Sequence, residues 1–337
     1  MNLIKNLYKG AIIGVANIIP GVSGGTMALV LGIYERIITA IHNISLKTAI
    51  STLRLLSFRK EHRAEFKQEM KKIDAGFLIV ITAGALAAIL ALAELMTWLL
   101  TKWHDPTYGF FFGLILISAA TPYILIKKKS AAVFIAAVIA VIGVLALSHS
   151  VSGDRMIEKA KVKHQVELQT EKNSAMGNET ADNTLSNARH YSYIFVLGAV
   201  GISAMILPGV SGSFLLLLLG GYFEILSAIA RKDLMILAVF ALGCGAGIII
   251  FTRLLNYLLL RWHDMTMGFL FGLVVGSLWM VWPFKYTASV GDEIIYLGNR
   301  MPGAFTQNEA LTLCAALAGM VVVAAIIKIE SSGVKKE

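Results

Sequence analysis

From Asn17 to Ile37 the chain reads NIIPGVSGGTMALVLGIYERI, and from Met205 to Ile225 it reads MILPGVSGSFLLLLLGGYFEI. Both belong to a longer match of Gly10 to Ile41 with Gly198 to Ile229, identical at 16 of 32 positions with a constant offset of 188. A second match, at offset 159, aligns KWHDPTYGFFFGL (102–114) with RWHDMTMGFLFGL (261–273). Self-similarity of this length means duplication, so the chain consists of two related halves. The offsets differ by 188 − 159 = 29, which places an extra hydrophilic stretch in the first half between Lys47 and Asp74.

The solvent for these halves is a bilayer. Of 337 residues 57% are hydrophobic and 15% charged, more apolar surface than a soluble domain of this size can hide. The stretches 77–100, 131–147, 234–260 and 310–327 approach or exceed the roughly 20 residues that a helix needs to cross a core of about 30 Å. Within each repeat PGVSG splits an apolar segment and leaves a first arm of about a dozen residues, too short to span at about 1.5 Å per residue. Leu7 to Ile41 and Tyr193 to Ile229 are therefore expected as re-entrant hairpins. Three spans follow each, over 77–101, 108–126 and 131–149, then 234–260, 267–284 and 309–329. An odd number of spans per half inverts the second relative to the first. The expected fold is all-α and polytopic, with two inverted-topology repeats, each a re-entrant broken-helix hairpin plus three transmembrane helices. The first membrane repeat is placed at 1–149, with an amphipathic insert at 45–74, and the second at 191–337, after a polar external loop at 150–190.

Charge supports this reading. The net +9 is concentrated in short loops, and no helix-turn-helix, zinc-finger or RNA-binding signature accompanies it, so no nucleic-acid partner is expected. Lys5, Lys9, the stretch Arg54 to Lys72, Lys127 to Lys129, Arg261, Lys335 and Lys336 fall on one side, which the positive-inside rule makes the cytoplasm, with both termini. The insert's LRLLSFRKEHRAEFKQEMKK reads as a basic stretch resting on anionic lipid. Met1 to Lys9 carries no cleavable-signal pattern. Cys244 and Cys314 lie in apolar segments and read as membrane-embedded thiols.

In each PGVSG unit a proline stops one short helix and a serine stands where the next begins, inside the membrane. A helix start with uncovered N–H groups attracts anions, most strongly at low dielectric. Ser23, Gly24, Gly25 and Thr26, facing Ser211, Gly212 and Ser213, are the expected phosphate cradle. The plainer reading is that these small residues serve close packing and a turn. Ionisable groups inside spans are costly and therefore functional candidates. Arg253 could neutralise a phosphate; Glu94, opposite it in the repeat alignment, could pair with it or carry a coupling proton; a structural pair or snorkelling is the alternative. Glu35, Arg36 and Glu224 follow the broken helices and read as gate or interfacial anchors, near the matched Tyr34 and Tyr222. The duplicated Trp-His-Asp at 103–105 and 262–264 is a weak metal set and reads as an interfacial anchor with a helix-capping Asp. G-V-S-G also occurs in intramembrane serine proteases, but all seven histidines lie in loops or near span ends, and a serine nucleophile needs a base within reach. No enzyme activity and no cofactor are expected; coupling to a proton or sodium gradient stays open.

The paired PGVSG stretches with the repeated WHD…GF-x-FGL block resemble the PopT family of bacterial polyprenyl-phosphate transporters over nearly all the chain outside the external loop. The resemblance implies a translocase of the bacterial cytoplasmic membrane that returns undecaprenyl phosphate from the outer to the inner leaflet for reuse in peptidoglycan and other surface polymers. It carries only the PGVSG positions as functional residues, with a polyprenyl-phosphate lipid as substrate and membrane lipids as partners. Without the resemblance, a secondary transporter of a soluble organic or phosphate anion is the alternative, and an intramembrane hydrolase a third.

Overall fold

A computed structural model describes residues 3–18, 22–54, 60–150, 184–290, 293–303 and 306–334. The protein is mostly helical. Its first half runs α1 (Leu3–Ile18), α2 (Gly24–Val30), α3 (Tyr34–His42), α4 (Leu46–Arg54), α5 (Lys60–Lys72), α6 (Ala75–Lys102), α7 (His104–Ser118), α8 (Ala120–Leu125) and α9 (Ala131–Ser150). The second continues with α10 (Thr184–Ile206), α11 (Gly212–Leu219), α12 (Tyr222–Arg231), α13 (Leu234–Arg261) and α14 (His263–Met280). A β-hairpin (β1, Lys285–Val290; β2, Glu293–Asn299) and α15 (Gln307–Val334) complete it.

Among the described residues five helices are long and apolar enough to cross a membrane: α6, α7 with α8, α9, α13 and α15, and the bent pair α2–α3, which turns through 114°, raises the number to six. The sixth segment expected as a span is α14, which ends at Met280 rather than at 284. Pro283 explains the early stop, because its ring disfavours helical geometry at Trp282. Pro122 acts similarly in the first half: it cannot donate to Ser118, and the helix breaks at Ala119 between α7 and α8. The half-arms are longer than expected, 16 residues in α1 and 23 in α10. α10 begins inside the stretch read as external loop, of which residues 151–183 lie outside the described residues.

The fold is not purely helical. Antiparallel β1 and β2 pair from Lys285 with Asn299 to Val290 with Glu293, with an irregularity at Tyr286 and Thr287. KYTASV alternates polar and apolar residues and is separated from the apolar EIIYLGN by Gly291-Asp292, which together carry a hairpin signal. The insert between α3 and α6 forms the helix pair α4 and α5, joined by Lys47 to Glu69 at 3.6 Å and Arg54 to Glu65 at 3.5 Å.

Helix packing follows the repeat. α1 lies on α6 and α10 on α13, the matching pair of the second half. The third span of each half instead packs on the second span of the other, α15 on α7 and α9 on α14. Glycines set these seams. A Cβ on Gly113 would stand 1.9 Å from the Ala316 carbonyl oxygen, and one on Gly272 2.2 Å from that of Ala137. Gly109 meets Thr312 and Gly268 meets Val133, so α7 with α15, and α14 with α9, run side by side in the same direction. In lipid, where burial drives helices together weakly, such close backbone approach supplies the packing.

The Trp-His-Asp blocks lock the ends of these pairs. Trp103 and Trp262, not the aspartates, occupy the positions before α7 and α14, with matched φ, ψ of −130°, 47° and −134°, 52°. Asp264 accepts the backbone N–H groups of Lys127 and Lys128, at 2.9 and 3.0 Å, in the loop before α9. Asp105 accepts from the Asn308 side chain at 2.9 Å, at the start of α15. Each aspartate thus fastens the other half's third span rather than capping its own helix.

Candidate anion site at the paired helix breaks

α1 runs into the helix break at Ile18, and α2 turns back beside it. Pro20 and Gly21 lie outside the described residues. Ser23 takes the capping position with extended φ, ψ of −109°, 132°, and its Oγ accepts the Gly25 N–H at 3.2 Å. Asn17, exposed at the end of α1, accepts the Gly24 N–H through Oδ1 at 3.0 Å. The Thr26 N–H donates to the Ser23 carbonyl at 3.0 Å. The amides expected to stand open at the start of α2 are therefore occupied, because the chain supplies its own acceptors for buried donors. Asn17 is the residue that sequence reasoning missed. It opens the repeated stretch, and a carboxamide at the end of an apolar arm was its signal.

The first break is seated on the second. The Ser23 hydroxyl donates to the Leu207 carbonyl at 3.1 Å, and Thr26 Oγ1 accepts the Gly209 N–H at 3.1 Å. The Tyr34 hydroxyl donates to the Ile206 carbonyl at 3.3 Å. Gly25 comes so close that a Cβ would lie 2.7 Å from the Ile206 oxygen, and Gly209 adopts φ +79° with its own Cβ position 2.5 Å from the Leu273 oxygen. Ser23, Thr26 and Tyr34 are all at most 5% exposed, so these bonds satisfy backbone groups that helix breaking leaves open in an apolar body. The partners are residues 206–209, one turn before the expected Ser211 and Gly212. Gly212 is buried against Met205 and Gly201, Ser211 is half-buried, and the Ser213 side chain lies outside the described residues.

The other candidates lie apart from this contact. Glu94 on α6 and Arg253 on α13 are both exposed, and no ion pair joins them among the described residues, so of the alternatives weighed for them the pair is not seen. Both helices turn those faces outward, and the repeat alignment matched positions in sequence, not in space. Arg36 binds Asp74 at 2.6 Å and stacks 3.9 Å over Phe77, tying α3 to the start of α6. Glu35 meets His263 at 3.3 Å, and Glu224 meets His190 at 3.0 Å. Lys9, read only as part of the basic N-terminus, is 5% exposed and donates to the Leu31 carbonyl at 2.8 Å, behind the first break. The repeat places Leu197 at that position in the second half, where it packs on Gly221.

Beside each break lies an apolar cavity. One of about 550 Å³ is walled by Ile12, Ala16, Met27, Phe110 and Leu114 and reaches Trp103. The other, of about 390 Å³, is walled by Val200, Ala204, Leu215, Phe269 and Leu273, the repeat equivalents of those five. The arrangement combines hydroxyl and amide groups at the seam of the two halves with apolar space on either side. It sets polar groups that the protein itself satisfies beside room for a hydrocarbon.

Residues 13–295 match the family model VCA0040-like, described as undecaprenyl phosphate translocase-like. A polyprenyl-phosphate transporter of Vibrio cholerae serotype O1 is 34% identical over 290 residues, 86% of this chain and 80% of that protein. A polyprenyl-phosphate transporter of Staphylococcus aureus is 33% identical over 291 residues, 82% of this chain and 86% of its own length. No solved structure matches the chain. With most of its length inside the match, and both helix breaks and both Trp-His-Asp locks within it, this transporter chain belongs to the VCA0040-like, undecaprenyl phosphate translocase-like family.

Proposed function

We propose that the protein carries undecaprenyl phosphate or a similar polyprenyl phosphate from the outer to the inner leaflet of the bacterial cytoplasmic membrane, its head group crossing where the two helix breaks meet. The observation that carries this is the reciprocal seating of Ser23 and Thr26 on Leu207 and Gly209. A phosphate crossing hydrocarbon needs donors to replace its water, and hydroxyls and backbone amides gathered at one seam are the available donors. In the described conformation those donors are satisfied by the protein itself, so the head group enters by displacing the Asn17 and Ser23 oxygens from the Gly24 and Gly25 amides. The apolar cavities beside both breaks favour a lipid over a soluble anion, which has no use for them.

The halves are read as inverted. α7 and α14 are equivalent in the repeat, yet α14 begins beside Lys127 and Lys128, where the α7–α8 segment ends. α7 begins beside Asn308, at the opposite end. Arg36, Lys127 to Lys129 and Arg261 gather at the first of these ends, which the positive-inside rule assigns to the cytoplasm together with both termini.

Cells provide the test. Surface-exposed undecaprenyl phosphate is measured with a head-group-binding probe in cells lacking the protein, with other recyclers removed, and in cells carrying wild-type or Ser23→Ala/Ser211→Ala protein. Loss should raise the surface signal, wild type should lower it, and the double variant should leave it high. A surface signal indifferent to loss of the protein would refute the lipid reading.

A further inference from the structure

We propose that the β-hairpin end of the molecule holds a second site for the same lipid, a receiving site in which Arg300 anchors the phosphate and the cavity beneath it takes the first prenyl units. The inference rests on the proposed polyprenyl-phosphate substrate. Between α7, α9 and α14 lies a cavity of about 330 Å³, walled by Phe112, Val141, Leu145, Val275, Trp279 and Trp282. Asn299 and Arg300 form its polar rim, and among the described residues its wall contains no acidic side chain. A cation at the mouth of an apolar chamber suits an amphiphile with an anionic head. A soluble anion gains nothing from the wall, and a neutral lipid gains nothing from the guanidinium.

Arg300 is placed for this task. Its N–H donates to the Phe284 carbonyl at 3.0 Å, and its own carbonyl accepts the Trp282 indole N–H at 2.9 Å, so the backbone beneath the side chain is fixed from both sides. The guanidinium is 28% exposed and stands 3.6 Å from both Asp105 and Glu309. Charge-assisted N–H···O bonds are about 2.7–2.9 Å long, so these carboxylates hold the cation in place without engaging its forked donors. A phosphate offers shorter, bidentate partners. A second cation stands close by: Lys285 donates to the Asn299 carboxamide oxygen at 3.3 Å and to the Met280 carbonyl at 2.9 Å.

Among the described residues the site has no counterpart in the other half. The β-hairpin and Arg300 sit between α14 and α15, whereas the equivalent connection from α8 to α9 is the short Ile126–Ser130. A cation-rimmed chamber at the end opposite Lys127 to Lys129 marks the end at which the lipid is taken up.

The purified full-length protein in detergent is titrated with farnesyl phosphate, farnesol and inorganic phosphate, following the fluorescence of its tryptophans, of which Trp279 and Trp282 line the chamber. Arg300→Gln should weaken farnesyl phosphate binding about tenfold or more and leave farnesol binding unchanged. Val141→Phe, which narrows the chamber without touching the ion pairs, should weaken both prenyl ligands. Wild-type binding of farnesyl phosphate with neither Arg300→Gln nor Val141→Phe weakening it overturns the receiving site alone. Wild type that binds farnesyl phosphate no better than inorganic phosphate overturns the site and the lipid reading together. If Arg300→Gln does not fold, Val141→Phe decides.

Discussion

Thr26 illustrates how single side chains decide this fold. Its hydroxyl accepts the Gly209 N–H across the seam at 3.1 Å, and the residue is 1% exposed. Thr26→Val keeps the shape and removes the acceptor, leaving a buried donor without a partner at a cost of about 1–3 kcal/mol. Thr26→Ser keeps the acceptor and loses only a methyl group. Thermal unfolding in detergent should show Thr26→Val melting well below wild type and Thr26→Ser close to it; equal melting would mean that the bond contributes nothing. Lys285, outside the spans, is governed by burial, which pushes its ammonium down to about 8 from the usual 10.5. Between those values the unfolded chain binds the proton and the folded one does not, so stability from this group rises with pH from about 8 to 10.5 and is flat below. Relative to Lys285→Met, wild type should therefore gain melting temperature between pH 7.5 and pH 10. A constant gap between the two proteins would show that the lysine is not held neutral by the fold.

At the scale of elements the glycine seams carry the argument. The α7–α15 and α9–α14 contacts place backbone against backbone, and a side chain on Gly113 would collide with the Ala316 carbonyl, an atom that cannot rotate away. Gly113→Leu must separate the helices along their length, whereas Gly143→Leu on α9 meets nothing within 4 Å. The first should abolish or sharply reduce folded yield and the second should leave it near wild type, measured as monodisperse protein after detergent extraction. These seams were present in the sequence as the G-x-x-x-G spacings 109–113 and 268–272, inside a block whose Trp-His-Asp drew attention to chemistry instead. Spans were legible because 20 apolar residues in a row admit few structures. The seating of Ser23 on Leu207 was not, because it joins positions 184 residues apart and depends on how the two halves meet. Arg253 and Glu94 correspond in the repeat alignment yet form no ion pair among the described residues, because equivalent positions in two halves need not be neighbours.

At the scale of the whole molecule, direction of travel depends on the halves being inverted, and the two aspartate locks give that reading a simple test. If Asp264 and Asp105 fasten opposite ends, a residue beside the first and a residue beyond the second face opposite aqueous phases. Ser130, in the loop after Lys127 to Lys129, and Gly298, exposed at the end of β2 with nothing within 4 Å of an added Cβ, are such positions. With Cys244 and Cys314 replaced by alanine, single Ser130→Cys and Gly298→Cys proteins are treated in intact cells with a membrane-impermeant thiol reagent. Gly298→Cys should react in intact cells, and Ser130→Cys only after the membrane is opened. The opposite pattern would reverse the orientation and with it the assignment of the Arg300 chamber to the outer leaflet. Labelling of both from outside would break the inversion itself, because the α7–α8 segment that separates these two ends would then not cross the membrane.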